Sequence, residues 1–240
     1  MLTKGSMTMF DGQFWAGTFS NVFAKQTSGF CTTVEGRLLP TFDSLEAEAD
    51  QVADDEWQRL GQSVGSEDTD MADLAERATE AGVAYYMSME SVRQTLINLS
   101  VAALYHLFEQ QLLFFYRRQV LHPREENDWD LIKIKVLKEK LASAGVDLEG
   151  LASWGKIEEL RVVANTVKHA EGSSAEKLRD LRPDLFFDSH LRGSSGFESS
   201  SQSHVYLPLA GEDIFLSIAD LNHYCAALHE FWQELAGAIQ

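Results

Sequence analysis

The sequence predicts an all-α fold, a helical bundle preceded by an aromatic N-terminal arm. Only 4 of the 240 residues are proline, and much of the chain after residue 42 carries apolar residues at the three-and-four spacing of amphipathic helices. An apolar content of 45% at this length is enough for a sizeable core. We expect an N-terminal arm and an acidic helix over residues 1–68, packed on a single helical bundle over residues 69–240.

Composition narrows the classes of function. The formal net charge of −17 does not favour broad attraction to nucleic acid, so any RNA contact has to come from a local basic patch. Cys31 and Cys225 lack metal-ligand spacing, and we expect ordinary buried thiols in a reduced, cytoplasmic protein rather than a disulfide framework or a zinc site. We expect no metal, no cofactor and no membrane contact.

The N-terminal arm, about forty residues long, is rich in aromatic residues and glycine and predicts loosely helical or extended structure. Its aromatic residues are spaced to share one face: Phe10, Phe14, Phe19 and Phe23. This face can fill the core of its own chain or pack on a second subunit.

Residues 42–60 then predict a helix with a strongly acidic outer face. Such a face is usually solvated, and a basic partner is the alternative.

Residues 69–120 predict a long central helix, with a break near Gly82 left open. Its inner stripe is largely apolar and runs through Ile97, Val101, Leu104, Phe108, either Gln111 or Leu112, and Phe115. A helix apolar over so much of its surface belongs at the centre of a bundle. Two arginines near its end, Arg117 and Arg118, either bind RNA phosphates or complement the helix C-terminus.

Three further segments complete the predicted bundle. Residues 129–144 predict an amphipathic helix whose outer face carries lysines, among them Lys133. Such a face usually aids solubility, and here it is also a candidate flank for an anionic ligand. Residues 188–204 are rich in serine and glycine and predict a mobile loop. A last helix over about residues 212–239 is expected to close the bundle.

The segment richest in polar chemistry is residues 157–172. Its apolar residues share one helical face: Ile157, Leu160, Val163, Ala164 and Val167. At about 100° per residue, Arg161 and Lys168 lie at the border of this face, and Asn165 and His169 lie farther round. The helix is expected to end in a left-handed cap at Gly172.

This polar side has a structural and a functional interpretation. In the structural one, Arg161 pairs with Glu158, while Lys168 and His169 complement the negative end of the helix. In the functional one, the same side of the helix forms part of a site. The second interpretation requires residues from another helix.

The string from Glu159 to His169, ELRVVANTVKH, resembles the signature helix of the HEPN superfamily. Members of that superfamily are helical bundles, frequently dimeric, and many are metal-independent ribonucleases of toxin–antitoxin and phage-defence systems. Their usual motif places a histidine after an arginine at a shorter interval than the seven residues that separate Arg161 from His169 here. An earlier helix of the family often supplies an acidic residue, which Glu109 matches.

The resemblance implies a metal-independent endoribonuclease, a toxin or phage-defence effector that attacks RNA through the ribose 2′-hydroxyl. His169 would be its acid/base group, and Arg161 and Lys168 would stabilise the charge on the phosphate. Asn165 would position the phosphate or the histidine. Glu109 would orient Arg161 or His169, since a carboxylate fixes the tautomer of an imidazole.

The remaining expectations concern partners. Arg117, Arg118 and Lys133 are the candidates for RNA binding. The resemblance implies a composite site in a homodimer and a further partner such as an antitoxin or another defence-system protein. The alternative function is a catalytically inactive HEPN-like module for dimerisation or partner binding.

Overall fold

The computed structural model describes residues 10–62, 70–187, 204–209, 211 and 213–240. All regular structure in these ranges is helical, so the predicted all-α class is confirmed for them. Their α-helices are α1 Gly12–Thr18, α2 Ala24–Thr33, α3 Leu45–Gln62, α4 Met71–Gln119, α5 Ile134–Ser143, α6 Trp154–His169, α7 Ser173–Leu181 and α8 Ile218–Ala238. The predicted loop 188–204, apart from His204, and the predicted boundary at residue 68 lie outside the described residues.

Short helical turns of other types connect these elements. Two π-helical turns, Phe19–Phe23 and Val34–Leu38, follow α1 and α2. Two short 3-10 helices span Leu39–Phe42 and Pro183–Phe186. The chain from α1 to the first 3-10 helix is therefore one nearly continuous helical segment. Within the described residues, no helix combines the length and the apolar composition needed to span a membrane.

Helix α4 is the axis of the fold, and its two halves bury roughly opposite faces. The C-terminal half buries the predicted apolar stripe, including Val101, Leu104 and Leu112, against α6 and α8. The N-terminal half instead turns Leu74 and Ala78 towards α3. At about 100° per residue these two sets lie on different sides of the helix. Helix α3 therefore forms a hairpin with the first half of α4.

Gly82 does not break α4, which runs without interruption from Met71 to Gln119. A Cβ on Gly82 would lie 2.7 Å from the carbonyl oxygen of Ala49 and 3.0 Å from the Cβ of Ala53. The glycine therefore serves the close approach of α3 to α4. One turn away, the Tyr85 hydroxyl donates a hydrogen bond to Glu48 Oε2 at 2.7 Å.

The aromatic residues of the N-terminal segment fill the core of their own chain. The ring centroid of Trp15 lies 4.8 Å from that of Phe115. Those of Phe19 and Phe23 each lie 4.9 Å from the centroid of Trp232 on α8. Phe14, by contrast, is 60% exposed, because Trp15 takes the inward position on α1. The segment thereby joins α4 to α8.

Several helix ends differ from the predicted ones. Helix α5 begins at Ile134 rather than near Trp129, because Asp128 Oδ1 accepts a hydrogen bond from the Asp130 backbone and Lys133 is extended. Helix α8 begins at Ile218, where Ser217 forms a capping box with Asp220. A local side-chain hydrogen bond therefore sets the start of α8, whereas α5 starts after the extended Lys133 without a side-chain cap.

The cap of helix α6 comes two residues earlier than predicted. The residue that ends α6 is Ala170, with φ of 61°, whereas Gly172, with φ of 158°, precedes α7. An alanine rarely adopts this conformation. It is held by its own burial and by the next residue, since the Glu171 amide donates to the Val205 carbonyl at 3.1 Å. His169 is consequently the last helical residue of α6.

Candidate functional site

A cleft of about 460 Å³ lies between α4, α6 and the residues that lead into α5. It is lined by Tyr105, His106, Glu109 and Leu113 of α4, by Ile132, Lys133 and Ile134, and by Arg161, Asn165 and Lys168 of α6. The cleft therefore brings together five of the eight predicted site residues, from three separate parts of the chain.

Apolar packing explains why the polar residues of α6 reach this cleft. Leu160, Val163 and Ala164 are buried against the rest of the bundle, and their side of α6 holds the helix on α4. Arg161 and Asn165, on the neighbouring side, are half-buried at the edge of that contact. Because the apolar face of α6 packs on the bundle, its neighbouring polar face forms one wall of the cleft.

The cationic groups of the cleft differ in how far they are neutralised. Arg161 Nη2 lies 3.0 Å from Glu158 Oε2, as the structural interpretation of this helix predicts. Lys133 Nζ lies 2.8 Å from Asp130 Oδ1, an exposed pair that contributes little stability. Within the described parts of the chain, Lys168 has no hydrogen-bond or ion-pair partner. The lysine is therefore available to an anion.

The cleft gathers cationic side chains in an acidic protein, although carboxylates outside its lining pair with two of them. Its lining includes three cationic side chains and a single carboxylate, that of Glu109, whereas the whole chain has a net charge of −17. Burial raises the pKa of the Tyr105 phenol, and the charge of Glu109 raises it further while that of Arg161 opposes the shift. The phenol therefore remains protonated at neutral pH and can donate a hydrogen bond.

The imidazole of the cleft belongs to His106. Its Nδ1 lies 3.2 Å from Glu109 Oε2, three residues further along α4. Glu109, expected to orient Arg161 or His169, thus has His106 as its partner in this structure. A carboxylate in this position selects the tautomer and the orientation of an imidazole. The i, i+3 spacing of the two residues was the sequence signal for this pair.

Three predicted site residues do not line the cleft. His169 is exposed at the end of α6. Arg118 lies over the Phe114 ring, 5.9 Å from its centroid, and 3.8 Å from Glu126. Arg117 is half-buried, and its Nε has no hydrogen-bond partner within the described residues. Their proposed roles in catalysis and RNA binding remain predictions.

A charged cluster on the opposite side of α6 fixes the position of this helix. Glu159 Oε1 accepts a hydrogen bond from the Tyr224 hydroxyl at 2.9 Å and lies 3.3 Å from Arg182 Nη1. Arg182 also contacts Asp220 at 2.8 Å. Burial alone would raise the pKa of Glu159, but hydrogen bonds from Lys156 and Tyr224 lower it. The cluster links α6 to α8 and to the end of α7.

The cleft can bind an anionic group and move a proton, since it combines cations, a free amide and an imidazole–carboxylate pair. The Asn165 amide has no hydrogen-bond partner among the residues described. In the same residues, no group of three or more His, Cys, Asp or Glu side chains is placed to hold a metal ion. No protein-family model, curated protein or solved structure matches this chain.

Proposed function

We propose that the cleft between α4 and α6 binds a phosphate group of RNA, and that the protein is a metal-independent endoribonuclease of HEPN type. The role in the cell would be that of a toxin or phage-defence effector. The main support is the meeting of Lys133, Arg161 and Lys168 with the His106–Glu109 pair in one cleft. The resemblance of residues 159–169 to the HEPN signature helix supports the same function.

The proposed reaction is a transesterification within the RNA strand. The ribose 2′-oxygen attacks the adjacent phosphorus, and the bond from phosphorus to the 5′-oxygen breaks. One group takes the proton of the 2′-hydroxyl and another gives a proton to the departing 5′-oxygen. The products are a 2′,3′-cyclic phosphate and a 5′-hydroxyl, and the balance requires no cofactor.

Five polar residues of the cleft have a role in this proposal. His106, held by Glu109, is one acid/base group, and in a composite dimer His169 of the second copy is the other. Lys168 and Arg161 stabilise the charge that develops on the phosphate. An amide such as that of Asn165 orients the phosphate by hydrogen bonding.

The test is cleavage of labelled single-stranded RNA and transfer RNA in EDTA, with wild type beside three histidine variants. His106→Ala and His169→Ala each remove a proposed acid/base group, and we expect each to lower the rate by about 10²- to 10⁴-fold. His223→Ala is the matched control, because His223 is exposed on α8 and is not among the residues lining the cleft. Circular dichroism would verify that every variant is folded.

The pattern across the variants separates the possible results. Cyclic phosphate ends that disappear in His106→Ala but persist in His223→Ala support the cleft as the active site. Loss in His169→Ala alone supports the ribonuclease but overturns the role of His106. Absence of cleavage by the folded wild-type protein, at high concentration, contradicts the ribonuclease proposal.

The second candidate is a catalytically inactive HEPN-like module that dimerises or binds a partner protein. It is favoured by exposed apolar residues on the first half of α4, where Val83 is 52% and Met87 is 67% exposed. Glu76 and Glu80 lie beside them on the same surface. For this candidate, Met87→Glu should change the oligomeric state measured by light scattering, whereas the His106 variant should not.

A further inference from the structure

The two cysteines of the chain meet across a helix–helix contact, although they are 194 positions apart. Cys31 lies on α2 and Cys225 on α8, and each side chain is close enough to shift the pKa of the other thiol. Both thiols are free, and the sequence contains no other cysteine. Their separation along the chain predicts no such pair, so the contact is a product of the tertiary fold.

Polar contacts on either side fix the register of this pair. Ser28 Oγ lies 3.0 Å from His229 Nε2, one helical turn before the Cys31 side chain. One turn beyond it, Asn222 Nδ2 donates to Glu35 Oε2 at 3.2 Å. The order of these contacts shows that the two helices run antiparallel. Cys31 and Cys225 thus occupy facing positions on the two helices, set by contacts that do not involve either thiol.

The two thiols differ in exposure and in acidity. Cys31 is 4% exposed, whereas Cys225 is half-buried and is the more exposed of the two residues. The contact with Cys31 lowers the pKa of Cys225, and the same contact together with burial raises the pKa of Cys31. Because the thiolate is the reactive form, Cys225 is the nucleophile and Cys31 the neighbouring thiol that resolves it.

We propose that Cys31 and Cys225 are an oxidative modification site, at which a hydroperoxide drives formation of a reversible intramolecular disulfide. The Cys225 thiolate attacks the O–O bond, becomes a sulfenic acid and, with one proton, releases water when the oxidant is hydrogen peroxide. The Cys31 sulfur then attacks the Cys225 sulfur, and the departing hydroxide takes the Cys31 proton as a second water. Two thiols lose two electrons in total, and the peroxide gains them.

The disulfide would join the N-terminal helical segment covalently to the last helix. A small dithiol would reverse it by thiol–disulfide exchange. Without an oxidant we still expect both thiols to be reduced, and the proposed modification is a response to peroxide. None of the residues that line the α4–α6 cleft belongs to this contact, so the inference is independent of the proposed ribonuclease.

The test uses the full chain, reduced and then treated with hydrogen peroxide near stoichiometry. Mass spectrometry of the non-reduced digest should find the Cys31 and Cys225 peptides joined, in monomeric protein, with the link removed by dithiothreitol. Cys31→Ser should accumulate a sulfenic acid at Cys225 that dimedone traps. Cys225→Ser should leave Cys31 largely unmodified, because Cys31 is buried.

Other results would overturn the proposal. Oxidation of Cys225 to sulfinic acid without a link to Cys31, in wild-type protein that remains folded, would show that the sulfurs cannot approach. Disulfides found only between two copies of the chain, and none within one copy, would lead to the same conclusion. The rate of linking should also fall in urea, because the folded contact brings the thiols together; an equal rate in native and unfolded protein would contradict this.

Discussion

Replacing Gly82 with alanine tests how closely α3 and α4 approach in the hairpin. The added Cβ would lie 2.7 Å from the carbonyl oxygen of Ala49 and 3.0 Å from the Cβ of Ala53. A carbonyl oxygen of the main chain cannot rotate out of the way as a long side chain can. Helix α3 therefore has to move away from α4, which weakens the packing of residues such as Leu74.

The magnitude follows from two opposing contributions. Alanine is favoured over glycine inside a helix by about 1 kcal/mol, and overpacking at a close contact costs about 1–3 kcal/mol. We expect Gly82→Ala to lower the free energy of unfolding by up to about 2 kcal/mol. Gly29→Ala on α2 is the matched control, because its Cβ would meet no atom within 4 Å. This control should raise stability by up to about 1 kcal/mol.

The assay is urea unfolding followed by circular dichroism, combined with hydrogen exchange of α3 amides. The helix-propensity contribution is common to both variants, so the difference between them isolates the packing cost. Exchange in α3 should accelerate in Gly82→Ala and remain unchanged in Gly29→Ala. Equal stabilisation by the two substitutions would refute the close contact as the reason for the glycine.

Three further substitutions test polar contacts of the fold. Arg179 lowers the pKa of Glu171 from 4.5 to about 2. This pair should therefore stabilise the fold above pH 4.5, and the stabilisation should be lost as the pH falls towards 2. Glu171→Gln should flatten that part of the plot of Tm against pH. Tyr224→Phe removes the hydrogen bond to Glu159 and should cost about 1.5–3 kcal/mol in urea unfolding; an unchanged midpoint would contradict it. Asn98→Ala removes two hydrogen bonds between α4 and the backbone before α8. It should cost about 1–3 kcal/mol and speed amide exchange in that segment, and unaltered exchange would argue against the contact.

The sequence by itself determined the helical class and most of the inner faces. The stripe that contains Val101 and Leu104, and the one that contains Leu160 and Val163, are buried as their spacing predicts. The same periodicity put Arg161 and the other polar residues of α6 beside the buried face. These features are local, because the 3.6-residue repeat alone decides which side chains share a side of a helix.

The tertiary structure decided which helices pack together and in which axial register. It brought His106 and Glu109 of α4 to the polar side of α6, and it set Cys31 opposite Cys225. It also made Gly82 a point of helix contact instead of a break. Contacts between residues far apart in the chain depend on the packing of whole helices, and no periodicity within one segment carries that information.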